Sequence, residues 1–177
     1  MKEKIITSFG SGFIRTEDSY YSEIVAIGKL LAECGYTVCS GGYAGSMEAI
    51  SRGAKSGDGK TIGVTVTKWN SPPNEFVDEE VKMPNLMERI CELITLAEGY
   101  IVFRGGTGTL MEISVALELM NKKAMPEKPV VFYGDFWQDM IEILKQDSSE
   151  LKAMIERNVR FIKKATDIPG QLEGISN

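Results

Sequence analysis

One segment in the second half of the chain limits the possible folds more than any other. An apolar run at residues 99–103 leads into Arg104-Gly105-Gly106-Thr107-Gly108-Thr109, and helical spacing of apolar residues follows to about Met120. This order predicts a strand, a tight glycine turn and a helix. Glycine lets a ligand approach the backbone closely, and a helix N-terminus attracts an anion. The segment therefore predicts a phosphate-binding turn with Glu112 at its rim, about one helical turn further along.

The same alternation of strand and helix runs through the whole chain. Apolar runs predict strands at residues 4–9, 36–39, 61–66, 99–103, 128–133 and 159–162. Helical spacing predicts helices at residues 17–34, 45–56, 83–97, 109–121, 136–145, 150–157 and 165–172. Residues 67–82 are predicted to be a long loop and a candidate lid. Repeated units of this kind predict an α/β fold: a Rossmann-like, doubly wound parallel sheet with helices on both faces, in a single domain of residues 1–177.

Two further glycine turns follow predicted strands. Gly10 and Ser11 come directly after the first strand, and Gly41 and Gly42 after the second. Ligands of doubly wound sheets bind at the carboxyl ends of strands, near the point where strand order reverses. We therefore expect all three turns to meet at one edge and bind a phosphate or nucleotide. None matches the dinucleotide fingerprint G-x-G-x-x-G or the P-loop, so an ordinary NAD or ATP phosphate site is not expected.

Composition excludes several kinds of chemistry and partner. The chain has no histidine, which removes Ser-His-Asp and Cys-His catalysis and histidine-ligated metal sites. The net charge of −5 argues against a dedicated nucleic-acid-binding protein. No stretch is long enough for a membrane span, and the chain leads into a strand without a signal peptide. Cys34, Cys39 and Cys91 lack metal-type spacing, so we expect reduced thiols in or near the core of a cytoplasmic protein. Neither a metal nor a cofactor is predicted.

Arg89 lies in the predicted helix that precedes the fourth strand. Most arginines on helices face solvent or form ion pairs, and position alone favours that interpretation here. The alternative is a planar guanidinium that binds a phosphate or carboxylate.

A combination of short motifs resembles the LOG family, across roughly residues 4–135. The motifs are Ser40-Gly41-Gly42-x-x-Gly45-x-Met47, Glu88-Arg89, and Gly105-Gly106-x-Gly108-Thr109-x-x-Glu112. The resemblance implies a Rossmann-like nucleotide-binding protein of a family long labelled lysine decarboxylase-like. The best-characterised members are phosphoribohydrolases, which split a nucleoside 5′-monophosphate into free base and ribose 5-phosphate. Related branches include a molybdenum cofactor carrier protein and, more distantly, DNA-processing proteins.

The resemblance also implies roles for residues and a quaternary structure. Arg89 and Glu112 match the family's catalytic residues, and a homodimer or higher homo-oligomer with sites near the interface is implied. This chain has Arg104 where the family usually has proline, and Leu86-Met87-Glu88-Arg89-Ile90 where the hydrolases usually have Met-His-x-Arg-Lys. In these positions the chain resembles an uncharacterised branch of the family near the cofactor carrier. We therefore expect a phosphoribohydrolase or, alternatively, a non-catalytic carrier or sensor of a phosphorylated ligand such as molybdenum cofactor. Lysine decarboxylation is not expected, because the lysines lie away from the glycine turns.

Overall fold

The computed structural model describes residues 4–173, which form one seven-stranded sheet. All neighbouring strands run parallel, in the order β4-β3-β2-β1-β5-β6-β7. The strands are β1 (Ile5–Phe9), β2 (Thr37–Ser40), β3 (Thr61–Val66), β4 (Glu79–Met83), β5 (Gly99–Val102), β6 (Val130–Tyr133) and β7 (Val159–Ile162). Strand order reverses between β1 and β5, so the connections leaving their carboxyl ends diverge and open a crevice there.

Seven α-helices cover the two faces of this sheet within the described residues. They are α1 (Ser19–Glu33), α2 (Ser46–Ser56), α3 (Leu86–Leu96), α4 (Thr107–Asn121), α5 (Gln138–Leu144), α6 (Ser149–Asn158) and α7 (Ile168–Glu173). Buried side chains of α1, α2 and α7 form one apolar cluster with the sheet, and those of α3 to α6 form a second. The predicted doubly wound α/β architecture is therefore confirmed.

The central strands are apolar runs because both of their faces are covered. Every residue of β2, β3 and β5 is buried. A strand buried on both faces has no polar side, so its sequence shows no alternation. This is why these strands could be predicted from composition and flanking glycines alone.

Helices α1 and α2 pack against each other through two glycines. A Cβ added at Gly53 would overlap the carbonyl oxygen of Val25, and one added at Gly28 would overlap that of Ile50. The missing side chains let the two backbones approach closely. This packing fixes α2 against the sheet, and with it the glycine loop that precedes α2.

The prediction for residues 67–82 was wrong at its C-terminal end. Thr67–Trp69 is a short 3₁₀ helix, and Glu79–Met83 is strand β4, which pairs with β3. Its charged residues hide the strand from a hydrophobicity pattern, because an edge strand leaves side chains exposed to water. Helix α3 consequently starts later than predicted, at Leu86, where the Asn85 side chain accepts a hydrogen bond from the Glu88 N–H at 3.0 Å.

The three cysteines are free thiols with different environments. Cys39 is buried, which raises the pKa of its thiol to about 12. Cys34 and Cys91 are exposed, so their predicted location in or near the core was wrong. Cys34 is the C-cap residue of α1 and Cys91 lies on the solvent-facing side of α3, positions that an apolar average over a helix does not resolve. In the part of the chain that the structure describes, no helix combines the length and the apolar character needed to cross a bilayer.

Candidate functional site

The glycine turn after β5 ends in the exposed N-terminus of helix α4. The helix begins at Thr107, two residues earlier than predicted, with Gly106 as its N-cap residue. The N–H of Leu110 is bonded to the Gly106 carbonyl at 3.0 Å, whereas the first three N–H groups precede the intrahelical ladder. No side chain of the described residues caps them. Unpaired N–H groups at the positive end of a helix are a binding site for an anion.

A cleft of about 280 Å³ opens over this helix N-terminus, at the crevice between β1 and β5. The predicted site residues that line it are Gly10, Ser11, Arg89, Gly106, Thr107, Gly108, Thr109 and Glu112. Three predicted residues, Gly41, Gly42 and Gly105, lie beside the cleft without lining it. The structure therefore brings both candidate catalytic side chains to the same cleft as the turn that was predicted to bind phosphate.

The expectation that Arg89 faces solvent or forms an ion pair holds only in its second part, because the side chain is buried and pairs with Glu112. It is only 6% exposed, and its Nε donates a hydrogen bond to the Val64 carbonyl at 2.7 Å. Its guanidinium carbon lies 5.6 Å from the ring centroid of Tyr43 and 5.5 Å from that of Trp69. Two aromatic faces and one carbonyl thus hold the cation in place, and its Nη1 is 3.7 Å from Oε1 of Glu112.

Glu112 is a buried carboxyl whose proton affinity is raised. Its side chain is 12% exposed, and burial raises its pKa to about 7, although the nearby Arg89 opposes this effect. Burial also lowers the pKa of Arg89, against the opposing effect of Glu112. A carboxyl with a pKa near neutrality can both accept and donate a proton at physiological pH. The pair therefore combines a fixed cation with a proton-transfer group.

Gly41 and Gly42, which follow β2, border the site on the side of Arg89. A Cβ added at Gly41 would overlap the Arg89 guanidinium, so only glycine leaves room for that side chain. Gly42 has a φ of +77°, which favours glycine, and its carbonyl accepts hydrogen bonds from the backbone and side-chain nitrogens of Asn74 at 2.7 and 3.1 Å. These contacts attach the segment after Trp69 to the glycine loop.

Five residues that line the cleft were given no site role by the sequence. They are Gly12, Phe13, Tyr43, Met47 and Trp69. Tyr43 accepts a hydrogen bond from the Val66 N–H at 2.9 Å, and its ring is 5.5 Å from that of Trp69. A usable signal existed, because Tyr43 lies within a glycine turn and Trp69 shortly after the carboxyl end of a strand, at the edge where ligands bind. Among residues 4–173, no three Cys, Asp or Glu side chains are grouped as metal ligands.

Comparison with known proteins identifies the family. The sequence profile of the family described as "Possible lysine decarboxylase" matches residues 47–172. An uncharacterized protein of Archaeoglobus fulgidus is 31% identical over 134 residues, covering 76% of this chain and 87% of that protein. The pyrimidine/purine nucleotide 5′-monophosphate nucleosidase of Escherichia coli is 28% identical over 141 residues, covering 73% of this chain. The match spans only 31% of the nucleosidase.

The fold of a solved structure agrees with this assignment. The molybdenum cofactor binding protein of Rippkaea orientalis superimposes with a TM-score of 0.78 at 24% identity, covering 100% of this chain and 99% of that one. At this identity the likeness shows the fold alone, whereas the profile match covers most of the sequence. The chain therefore belongs to the lysine decarboxylase-like family, the LOG family, whose motifs it carries around Arg89 and Glu112.

Proposed function

We propose that this protein is a phosphoribohydrolase, which cleaves a nucleoside 5′-monophosphate into free base and ribose 5-phosphate. One observation carries the proposal: the buried pair of Arg89 and Glu112, 3.7 Å apart, shares one cleft with an uncapped helix N-terminus. The helix end supplies an anion site, and the pair supplies a cation and a proton-transfer group beside it. That combination suits a substrate that carries a phosphate group and, close to it, the bond that is hydrolysed.

The phosphate binds at the start of α4. The N–H groups of Thr107, Gly108 and Thr109 donate hydrogen bonds to its oxygens, and the exposed Thr107 hydroxyl adds a further donor. The substrate then extends along the cleft past Glu112, which contacts the ribose. The base lies toward the aromatic end of the cleft, where Trp69 is 48% exposed and offers a stacking surface.

The chemistry follows from the charges along the cleft. As the bond from C1′ to the base nitrogen breaks, its electron pair leaves with the base and positive charge develops on the ribose. The carboxylate of Glu112 stabilises that charge, as carboxylates do in glycoside hydrolysis. A water oxygen bonds to C1′ and gives up a proton to Glu112, and the base nitrogen takes up a proton in turn. Arg89 holds the leaving base or a ribose hydroxyl. Proton transfer by a placed group typically contributes about 10²–10⁴-fold.

The nucleosidase relative supports hydrolysis rather than the reaction in the family's description. Decarboxylation with pyridoxal phosphate needs a lysine that forms a Schiff base. Within the described residues, no lysine lines the cleft. The carboxyl of Glu112 and the guanidinium of Arg89 instead suit the hydrolysis of an N-glycosidic bond.

A carrier or sensor of a phosphorylated ligand such as molybdenum cofactor is the second candidate. The likeness to the cofactor binding protein of Rippkaea orientalis covers the whole chain, and Arg104 stands where the family usually has proline. A carrier would use the same helix N-terminus to bind its ligand and release it unchanged.

We also propose a cytoplasmic homodimer. Helix α4 leaves apolar side chains partly exposed, with Leu110 37% exposed and Met111, Val115 and Leu119 only partly buried. A second copy packed on this face would cover them. Light scattering of the purified protein measures the mass, and a monomer at all concentrations would contradict the dimer.

The test is incubation with a panel of nucleoside 5′-monophosphates, with free base measured by chromatography. The wild-type protein should release base, and Glu112→Gln should lose that activity while remaining folded. Glu118→Gln is the matched control, since Glu118 lies on the same helix with its side chain 58% exposed. Full activity of Glu112→Gln would contradict the proposed mechanism. Binding of a nucleotide, or of a pterin such as that of molybdenum cofactor, without release of free base would favour the carrier.

A further inference from the structure

A second cleft adjoins the first on the other side of the glycine turn. It encloses about 250 Å³ and is lined by Ser11, Phe13, Ile14, Asp18, Arg104, Gly105 and Phe136. Ser11 and Phe13 line both clefts. The Ser11 N–H also donates a hydrogen bond to the Arg104 carbonyl at 3.1 Å, which ties the two loops together. A ligand bound at the start of α4 can therefore extend past Ser11 into the second cleft.

Arg104 is held in place at the wall of this second cleft. Its guanidinium carbon lies 4.4 Å from the ring centroid of Tyr20, and its backbone N–H donates to the Tyr20 hydroxyl at 3.3 Å. Tyr20 itself is fixed by its packing against Phe103, with ring centroids 6.3 Å apart. One tyrosine thus positions both the backbone and the guanidinium of Arg104. A guanidinium stacked by one face on an aromatic ring keeps its N–H edges free for an anion.

No carboxylate neutralises this cation within residues 4–173. The structure records no ion pair for Arg104 there, although Asp18 lines the same cleft. One carboxylate oxygen of Asp18 accepts a hydrogen bond from the Arg15 N–H at 3.2 Å. The second cleft thus contains a positioned and unpaired arginine.

Two exposed aromatic side chains complete the cleft. Phe13 is 95% exposed and Phe136 is 60% exposed, and both line it. They add apolar surface to the same cleft that Arg104 lines.

We propose that Arg104 binds a second phosphoryl group, so that a nucleoside 5′-diphosphate, or another nucleotide with a diphosphate, binds in this cleft more tightly than the monophosphate substrate. This inference rests on the proposed phosphate site at the start of α4. The 5′-phosphate occupies that helix N-terminus, and the phosphate attached to it reaches past Ser11 to the guanidinium. Arginine suits this role because its N–H groups match the geometry of phosphate oxygens.

Calorimetric titration with AMP and with ADP tests the proposal. The Glu112→Gln background keeps the nucleotides intact, and EDTA removes divalent cations. ADP should bind about tenfold more tightly than AMP, the ratio that one charge-assisted hydrogen bond produces. Arg104→Gln should abolish this preference and leave the affinity for AMP within about twofold, while Arg104→Lys should restore part of it. Arg52→Gln is the matched control, because the Arg52 guanidinium also stacks on a ring, 5.9 Å from the centroid of Phe76.

The possible outcomes separate the two proposals. Binding of AMP without a preference for ADP, or a preference that survives in Arg104→Gln, overturns the inference and leaves the phosphate site intact. If neither nucleotide binds, the phosphate site at α4 is wrong and the inference fails with it.

Discussion

Replacing Glu112 by glutamine should change how the stability of the ligand-free protein depends on pH. Burial raises the pKa of this carboxyl from its ordinary value of 4.5 to about 7. Between these two values the folded protein holds a proton that the unfolded chain has already released. The wild-type protein therefore loses stability as pH rises through this window, whereas glutamine has no proton to lose.

The size of the effect follows from the difference between the two pKa values. Each unit corresponds to about 1.4 kcal/mol, so the ionised carboxylate destabilises the folded state by about 3 kcal/mol above pH 7. Below pH 4.5 the group is protonated in both states and this penalty is absent. Relative to wild type, the free energy of unfolding of Glu112→Gln should therefore rise by about 3 kcal/mol between pH 4 and pH 8.

Urea unfolding at several pH values between 4 and 8 measures this difference. Glu118→Gln serves as the control, because its exposed carboxyl on the same helix should give a difference that hardly changes with pH. A pH-independent difference for Glu112→Gln would refute the reasoning. So would a difference of opposite sign, which would mean that Arg89 outweighs burial and lowers the pKa of Glu112.

Three further substitutions test the packing and the cleft. Gly108→Ala places a Cβ where the structure has no atom within 4 Å, so it should stabilise α4 by up to about 1 kcal/mol in thermal unfolding. Because Gly108 lines the cleft, the same methyl group should weaken nucleotide binding in calorimetry. Gly53→Ala should destabilise the protein by about 1–3 kcal/mol through its clash with Val25, whereas Gly170→Ala, with open space around it, should not. Trp69→Ala should raise KM more than it lowers kcat, because it removes a wall of the base-binding end.

The fold was predictable because its signals are local. Apolar runs, glycine turns and helical spacing each depend on neighbouring residues, and they placed six of the seven strands in the described part of the chain. Strand β4 was missed because Glu79, Glu80 and Lys82 resemble a solvent-exposed loop. Its pairing with β3 depends on backbone hydrogen bonds across the sheet, which side-chain hydrophobicity does not report.

The candidate site was predictable in part for the same reason. The anion site at the start of α4 follows from one stretch of sequence, whereas the burial of Arg89 depends on contacts far away in the chain. Gly41 makes room for the guanidinium, Val64 accepts its hydrogen bond, and Trp69 stacks on it. None of these three residues is near Arg89 in sequence. Only the family resemblance suggested that this arginine belongs to the site.

Comparison of AMP with adenosine as substrates tests the central claim most directly. If the N-terminus of α4 binds the phosphate while Glu112 acts on the glycosidic bond, the protein should release adenine from AMP and at least about 100-fold more slowly from adenosine, which lacks the anion. Gly108→Ala should slow the cleavage of AMP and reduce this ratio. Equal rates for the two substrates, or release of adenine from AMP by Glu112→Gln at the wild-type rate, would contradict the account.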